Sequence, residues 1–312
     1  MSSSESKSPY TDTEFIDVVG YHDEREPDSQ YRDVLERIYE DGEEVLPIHG
    51  EMAKRLIGPQ LKYKMANGFP AITERDFSKM FNSAIAEHVA FLNGARTQEE
   101  LEQFGCKWWD RWVTPEKCAV FGLEPGDLGD GSYGAAWTDF PMADGGSFDQ
   151  IENVVRQIRE RPELRSHFIS PWIPEYTIQH SDLQRKVVVA PCHGWIHVLT
   201  NPQKKSLSIH HFQRSGDFPV GVPFNLVQYA AFGLMMAKDM DYRFDEIVYT
   251  FSDAHIYESQ FPYVEELLNR KPMALGKVAL NGTFDNIKDY RPDNFLLTEY
   301  QSHSGMIIPT PT

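Results

Sequence analysis

The chain reads as one α+β domain, and three observations carry that reading. Apolar residues recur at helical spacing through the first half, strand-like alternation with turn signals sets in after Arg185, and no composition break divides the chain beyond its first residues. Residues 1–25 are rich in Ser, Asp and Glu with few grouped apolar side chains, so they are expected to form a mobile arm before a folded domain over 26–312. Tyr31, Val34, Leu35, Ile38 and Tyr39 then predict an amphipathic helix that stops at Asp41-Gly42, a glycine end signal. A second helix is predicted from Phe77 to Leu92, with Met80, Phe81, Ala84, Ile85, Val89 and Leu92 on one side, Asn93-Gly94 closing it, and Glu87 within it.

Between Gly94 and Gly146 the chain is dense in Trp, Gly, Pro and Asp, which predicts a long ordered loop region, since flexible linkers do not concentrate tryptophan. A third helix over Phe148 to Glu160 ends before Pro162. From Arg185 the pattern turns to strand. Val187, Val188 and Val189 lead into Pro191-Cys192-His193 and on through Trp195, Ile196, Val198 and Leu199 to a turn at Asn201-Pro202, and Leu207, Ile209 and Phe212 supply the return strand of a hairpin. Cys192 is therefore expected in or beside a sheet. Leu226 to Met240 predicts a deeply buried apolar helix, and Glu246 to Phe251 a further strand ending near Ser252-Asp253-Ala254-His255. Residues 285–312 show no periodicity.

Composition narrows the function. With 312 residues the chain can bury a substantial core, and no stretch approaches the roughly 20 apolar residues of a membrane helix. A polar, serine-rich start without an apolar segment is not a secretory signal, so a cytoplasmic location is expected. The formal charge of −17 argues against a nucleic-acid surface, while a small anionic ligand remains compatible where a few arginines converge. Cys106, Cys118 and Cys192 have no C-x-x-C spacing, so cysteine chemistry here is single-residue chemistry. His193 and the pair His210-His211 lack a third ligand at a recognised spacing, and no metal is expected.

Within this frame one cluster stands out. Pro191-Cys192-His193, Gln213-Arg214-Ser215-Gly216-Asp217 and Gly221-Val222-Pro223-Phe224-Asn225 bring a thiol, a cation, an acid and an amide close together in sequence. A fixed cation turns a thiol into a nucleophile, a guanidinium grips phosphate, and an amide reads one edge of a heterocycle, so the set points to a cysteine that attacks a nucleotide base. Each member also has a plainer reading: Cys192 as a small buried hydrophobe, and the run around Arg214 as a solvated hairpin end. Glu87 is either a buried structural carboxylate or a general acid/base whose pKa burial raises. His255 and Tyr257 lie on one face of an extended segment, placed either to bond a sugar hydroxyl or to cap a strand. The aromatics of Trp108-Trp109-Asp110-Arg111-Trp112 suggest a lining for a flat ligand.

Taken in order, these segments resemble the thymidylate synthase superfamily from about Tyr31 to Thr312. The resemblance is carried by Gly68-Phe69-Pro70, Glu87 with Phe91-Leu92-Asn93-Gly94, Trp109-Asp110-Arg111-Trp112, Tyr133-Gly134, the three segments of the cluster, Asp253-Ala254-His255-Ile256-Tyr257, and the spacing from Tyr300 to the end. It implies a large mixed sheet flanked by helices and a homodimer whose sheets pack back to back, each site completed by the other subunit. It further implies that Cys192 adds to C6 of a pyrimidine nucleotide, activating C5 toward the one-carbon unit of 5,10-methylenetetrahydrofolate. By the same resemblance Arg214, Ser215 and a partner-donated Arg165 hold the phosphate, and His255 and Tyr257 the sugar. Gln213, Asp217, Gly221 and Asn225 surround base and folate, Glu87 and Tyr133 serve proton transfers, and Trp109, Trp112 and Phe224 line the folate pocket. Asparagine at 225 matches the family's uracil enzymes rather than its cytosine hydroxymethylases, although a flipped amide could pair with cytosine equally well.

The departures bear on the product. Leu46-Pro47-Ile48-His49-Gly50 has no arginine where the family's synthases carry a phosphate clamp, and Arg165 is followed by Ser166 where they carry a second arginine. A basic position that helps hold folate reads as Glu74, and the aliphatic terminal residue that helps seal a synthase site is Thr312. Lys54, Arg55 and His167 are candidates to replace the missing arginines. Hydride transfer to the exocyclic methylene needs a dry, closed site, whereas hydration needs an admitted water. The expected activity is therefore a deoxyuridylate (dUMP) hydroxymethyltransferase, with thymidylate synthase as the alternative and a dCMP or CMP hydroxymethylase after it. A non-catalytic relative that binds nucleotide or messenger RNA would have no use for Cys192, Arg214, Glu87 and Asn225 together.

Overall fold

The computed structural model describes residues 15–48, 50–282 and 284–311. It begins with α1 (Gln30–Asp41), β1 (Glu43–Val45), β2 (Ala53–Ile57), β3 (Gln60–Lys64) and α2 (Ser78–Leu92). Short elements follow: α3 (Gln98–Gln103), α4 (Pro115–Val120), α5 (Tyr133–Thr138), β4 (Phe140–Pro141), β5 (Ser147–Phe148), α6 (Gln150–Glu160), β6 (Phe168–Ile169) and α7 (Pro174–Thr177). The second half holds β7 (His193–Asn201), β8 (Ser206–Asp217), α8 (Gly221–Asp239), β9 (Arg243–Tyr257), α9 (Phe261–Leu268), β10 (Lys277–Leu280) and β11 (Phe295–Thr298).

A seven-stranded sheet runs in the order β1-β2-β9-β8-β7-β6, with β3 also on β9. Strands β2 and β3 lie end to end along β9, joined where Gly58 takes a left-handed φ of +75°. Antiparallel pairing holds throughout except between β8 and β9, which are parallel, so the sheet is mixed. A parallel pair needs a long crossover, and α8 is that crossover. Its apolar residues point in every direction because the sheet lies on one side and α2 on the other, and Val222, Leu226, Val227, Ala230, Phe232 and Met235 are all fully buried. Gly233 lets the helix lie this close to the sheet: a Cβ there would come within 2.2 Å of the Phe244 ring.

The opposite face of the sheet carries Phe168, Trp195 and Phe212. They stack on one another, with Trp195–Phe212 centroids 5.7 Å apart, yet stay partly or largely exposed.

Several expectations need correction. Val187–Val189 is not a strand; Pro191 has no N–H for a ladder, and the valines are instead held in a loop by Val188 N–H on the Leu128 carbonyl and by Arg185 on the Val188 carbonyl. Cys192 thus sits just ahead of β7 rather than inside a longer strand. The predicted one-sided face of α2 is too narrow, since Ala86, Glu87, His88 and Ala90 are buried as well. The segment from Gly94 to Gly146 contains three short helices; α3 begins with a Thr97/Glu100 capping box and α4 with Thr114-Pro115, both signals present in the sequence. Strand β9 runs on through Ser252, Asp253 and His255 because β8 and β2 flank residues 253–255 on both sides. Residues 285–312 include β11, paired with β10. Of the expected arm, residues 1–14 lie outside the described residues, as do His49 and Thr312. Residues 15–25 are docked: Ile16 exchanges backbone bonds with Leu280, Val19 is buried, and Tyr21 donates to the Val278 carbonyl.

Candidate active site

Three elements hold Cys192. Its backbone N–H donates to Tyr133 Oη at 2.6 Å, its carbonyl accepts from Arg214 N–H at 2.7 Å, and a bulge at Gly194 turns the chain into β7. Arg214 then folds back over the same turn. Its guanidinium donates to the carbonyls of Pro191 and Ala190, both at 3.1 Å, and Nη2 lies 3.6 Å from Cys192 Sγ. Burial pushes the thiol above its ordinary value, Arg214 pulls it back, and the carboxylate of Asp253 adds to the upward push. His193 is not the thiol's base: its Nδ1 faces Tyr229 Oη at 2.8 Å, and burial lowers its pKa to about 3, leaving the ring neutral.

Behind the thiol runs a continuous hydrogen-bond chain. Trp109 Nε1–H donates to Glu87 Oε1 at 2.6 Å, and the Gln228 amide donates to Glu87 Oε2. Asn225 Nδ2 donates to Gln228 Oε1 at 3.1 Å, Gln213 Nε2 donates to Asn225 Oδ1 at 3.2 Å, and Tyr249 Oη–H closes the chain on Gln213 Oε1. Desolvation raises the pKa of Glu87, opposed by its two hydrogen bonds.

The parallel register of β8 on β9 sets Ser215 beside Asp253 and Asp217 beside His255. Ser215 Oγ reaches Asp253 at 3.5 Å, and His255 Nδ1 faces the other oxygen of that carboxylate at 3.2 Å. Tyr257 packs edge-on to His255 on the same strand face. Asp217 accepts from Val220 N–H and from the Gln260 amide, which also donates to the Pro309 carbonyl at 2.9 Å. Burial lifts Asp217 to about 6 against the pull of His255.

Gly221 opens α8 between Asp217 and Asn225. Phe224, next to it, packs on Phe77 at 4.6 Å and Trp108 at 4.9 Å, with the Arg75 guanidinium 5.7 Å from its ring. A flat aromatic wall beside a carboxylate fits a heterocycle with a donor edge, such as a pterin.

The other expected residues have surroundings of their own. Trp112 sits between Arg111 and Lys117. Arg165 is exposed; its carbonyl meets His197, about 16 Å along β7 from Cys192. Lys54 is turned onto the Tyr39 carbonyl, Arg55 pairs with Glu43 at 2.7 Å, and His167 is buried against Gln157. Glu74 is buried facing its own turn, taking the Thr73 N–H at 2.9 Å. Sequence reasoning missed Gln228, Gln260 and Arg75. The signal for Gln228 was its position three residues after Asn225 in an otherwise apolar helix, which puts both amides on one face.

Among the described residues no group of three or more His, Cys, Asp or Glu is placed to hold a metal ion, and no helix is long and apolar enough to cross a membrane. The family model described as thymidylate synthase matches residues 29–310. That family uses methylenetetrahydrofolate as cosubstrate. The chain belongs to the thymidylate synthase family, folate-dependent transferases that place one carbon on C5 of a dUMP-like nucleotide.

Proposed function

We propose that the protein converts dUMP to 5-hydroxymethyl-dUMP. The observation that carries the covalent step is the 3.6 Å approach of Arg214 Nη2 to Cys192 Sγ, with both anchored to one turn. Cys192 Sγ adds to C6 of the uracil and leaves the electron pair at C5, which takes the one-carbon unit that methylenetetrahydrofolate supplies. Tyr133 Oη, fixed by two backbone N–H donors, and Glu87 handle the protons lost from C5 and exchanged with O4. Departure of tetrahydrofolate leaves an exocyclic methylene on the nucleotide. Water adds to it, the Cys192–C6 bond breaks, and the C5=C6 double bond returns.

Hydration rather than reduction is the reading favoured by Glu74, an acid where the family's synthases carry a base that helps hold folate. Thymidylate synthesis is the second reading. It draws on the C-terminal segment, where Ile308 is buried and Pro309 is tied to Asp217 through Gln260, a tether that would keep water out.

The active species in this reading is a cytoplasmic homodimer. Its free cysteines suit a reducing compartment, and the stacked Phe168, Trp195 and Phe212 face suits a second copy of the sheet that would bring Arg165 to the partner's phosphate site.

The test is incubation with methylenetetrahydrofolate and each of dUMP, dCMP, UMP and CMP, reading product mass and dihydrofolate absorbance. A product of dUMP gaining the mass of formaldehyde, without dihydrofolate, is expected. Dihydrofolate formed in step with a methylated nucleotide would establish the synthase reading instead.

A further inference from the structure

We propose that Gln228 is the positioning residue that fixes the Asn225 amide in the orientation that accepts uracil and refuses cytosine. The inference rests on the uracil reading above and adds the residue that enforces it. An asparagine amide has two faces of opposite hydrogen-bond sense, and nothing in its shape chooses between them. Here both neighbours choose.

At one end stands Glu87. Its two oxygens accept from the Trp109 indole and from the Gln228 amide, so Gln228 must turn its NH₂ toward the carboxylate and its Oε1 toward Asn225. Asn225 can meet that oxygen only with Nδ2. At the other end Gln213 Nε2 donates to the Ser215 backbone carbonyl at 2.8 Å, an acceptor with no alternative role, while its Oε1 takes the Tyr249 hydroxyl. The second N–H of Gln213 therefore points at Asn225, which can answer only with Oδ1. Two acceptors, the Glu87 carboxylate in its ionised form and a peptide carbonyl, impose one orientation from opposite sides.

Turning Asn225 over would set NH₂ against NH₂ and oxygen against oxygen. Gln228 is 1 % exposed, Gln213 2 % and Asn225 8 %, so solvent offers little relief. The His193 ring also hydrogen-bonds the Asn225 side chain, in the sense of an imidazole N–H donating to Oδ1, which reinforces the same orientation. Toward the base Asn225 presents Oδ1 as acceptor and one N–H on Nδ2. Uracil matches this with its N3–H and O4; cytosine offers an acceptor at N3 and a donor at its 4-amino group, and mismatches both.

The test measures dUMP and dCMP dissociation constants on the intact protein by calorimetry. Wild type should favour dUMP by about 100-fold or more. Gln228→Met keeps the volume and removes both bonds, and should narrow that ratio by at least about tenfold. Gln228→Glu keeps an acceptor toward Asn225 and should hold the ratio within about threefold of wild type, even where turnover falls. Should Gln228→Met not fold, as judged by circular dichroism, Gln228→Ala gives the same comparison. An unchanged ratio in the Met or Ala variant, or an equal loss of ratio in the Glu variant, overturns the role of Gln228 and leaves the uracil reading standing. A wild type that prefers dCMP removes both.

Discussion

Arg214 Nη2 and Cys192 Sγ stand 3.6 Å apart because the guanidinium is pinned to the carbonyls of Ala190 and Pro191, the two residues just before the thiol. The cation is thus built into the turn that carries its target, and under the proposed function the same side chain would both favour the thiolate and face the phosphate. Burial leaves the thiol above its ordinary value even with Arg214 pulling it down.

This predicts that kcat/KM, followed by tritium release from C5, rises with pH above neutrality as the thiol ionises. Arg214→Ala should move that limb to higher pH, because the group that lowers the thiol's pKa is gone. Each unit of displacement costs roughly tenfold in thiolate at neutral pH. A limb that stays in place in the variant would separate Arg214 from the thiol.

Glu87→Gln should lower kcat by about 10²- to 10⁴-fold, the usual worth of a general acid or base. The variant keeps one acceptor oxygen but sets an NH₂ against either Trp109 or Gln228, so stability should drop by about 1–3 kcal/mol as well. Single-turnover kinetics and urea unfolding of the same preparation check both.

Asp217, lifted to about 6 from an ordinary 3.8, binds its proton more tightly in the folded protein than in the unfolded chain. Its contribution therefore falls as pH rises from about 4 to about 6, by up to about 3 kcal/mol. Asp217→Asn removes this dependence. Relative to wild type, the variant should gain stability between pH 4 and pH 7, as measured by denaturant unfolding at several pH values; a constant difference would contradict the assignment.

Gly233→Ala should destabilise the fold by about 1–3 kcal/mol through overpacking, since the added methyl meets the Phe244 ring at 2.2 Å. Because α8 also carries Asn225 and Gln228, KM for the nucleotide should rise with the fall in the urea midpoint.

The sequence made some features legible and hid others for physical reasons. Helix α1 and the β7–β8 hairpin carry clean periodicity and stops at Gly42 and Asn201-Pro202, and both form as expected. Val187–Val189 misled because an apolar run looks alike in a strand and in a buried loop. Glu87 was visible as a charge on an apolar helix, but its partners Trp109 and Gln228 come from remote parts of the chain and only the fold unites them. Arg75 was hidden beside Glu74, although only the arginine reaches the carbonyls of Pro219 and Val220 near Phe224.

The single parallel pairing, β8 on β9 with α8 between them, has a kinetic consequence. The β7–β8 hairpin, with Cys192 and Arg214 at one end, is a local structure that can form early. The β8–β9 pair must first close a long loop, and contacts so distant in sequence are gained slowly. During refolding the nucleophile and its cation should assemble before Asn225 is trapped beneath β9 and before His255 and Tyr257 arrive. Thiol labelling at Cys192 would then become Arg214-dependent ahead of any nucleotide binding, so the chemistry of this site would mature before its selectivity.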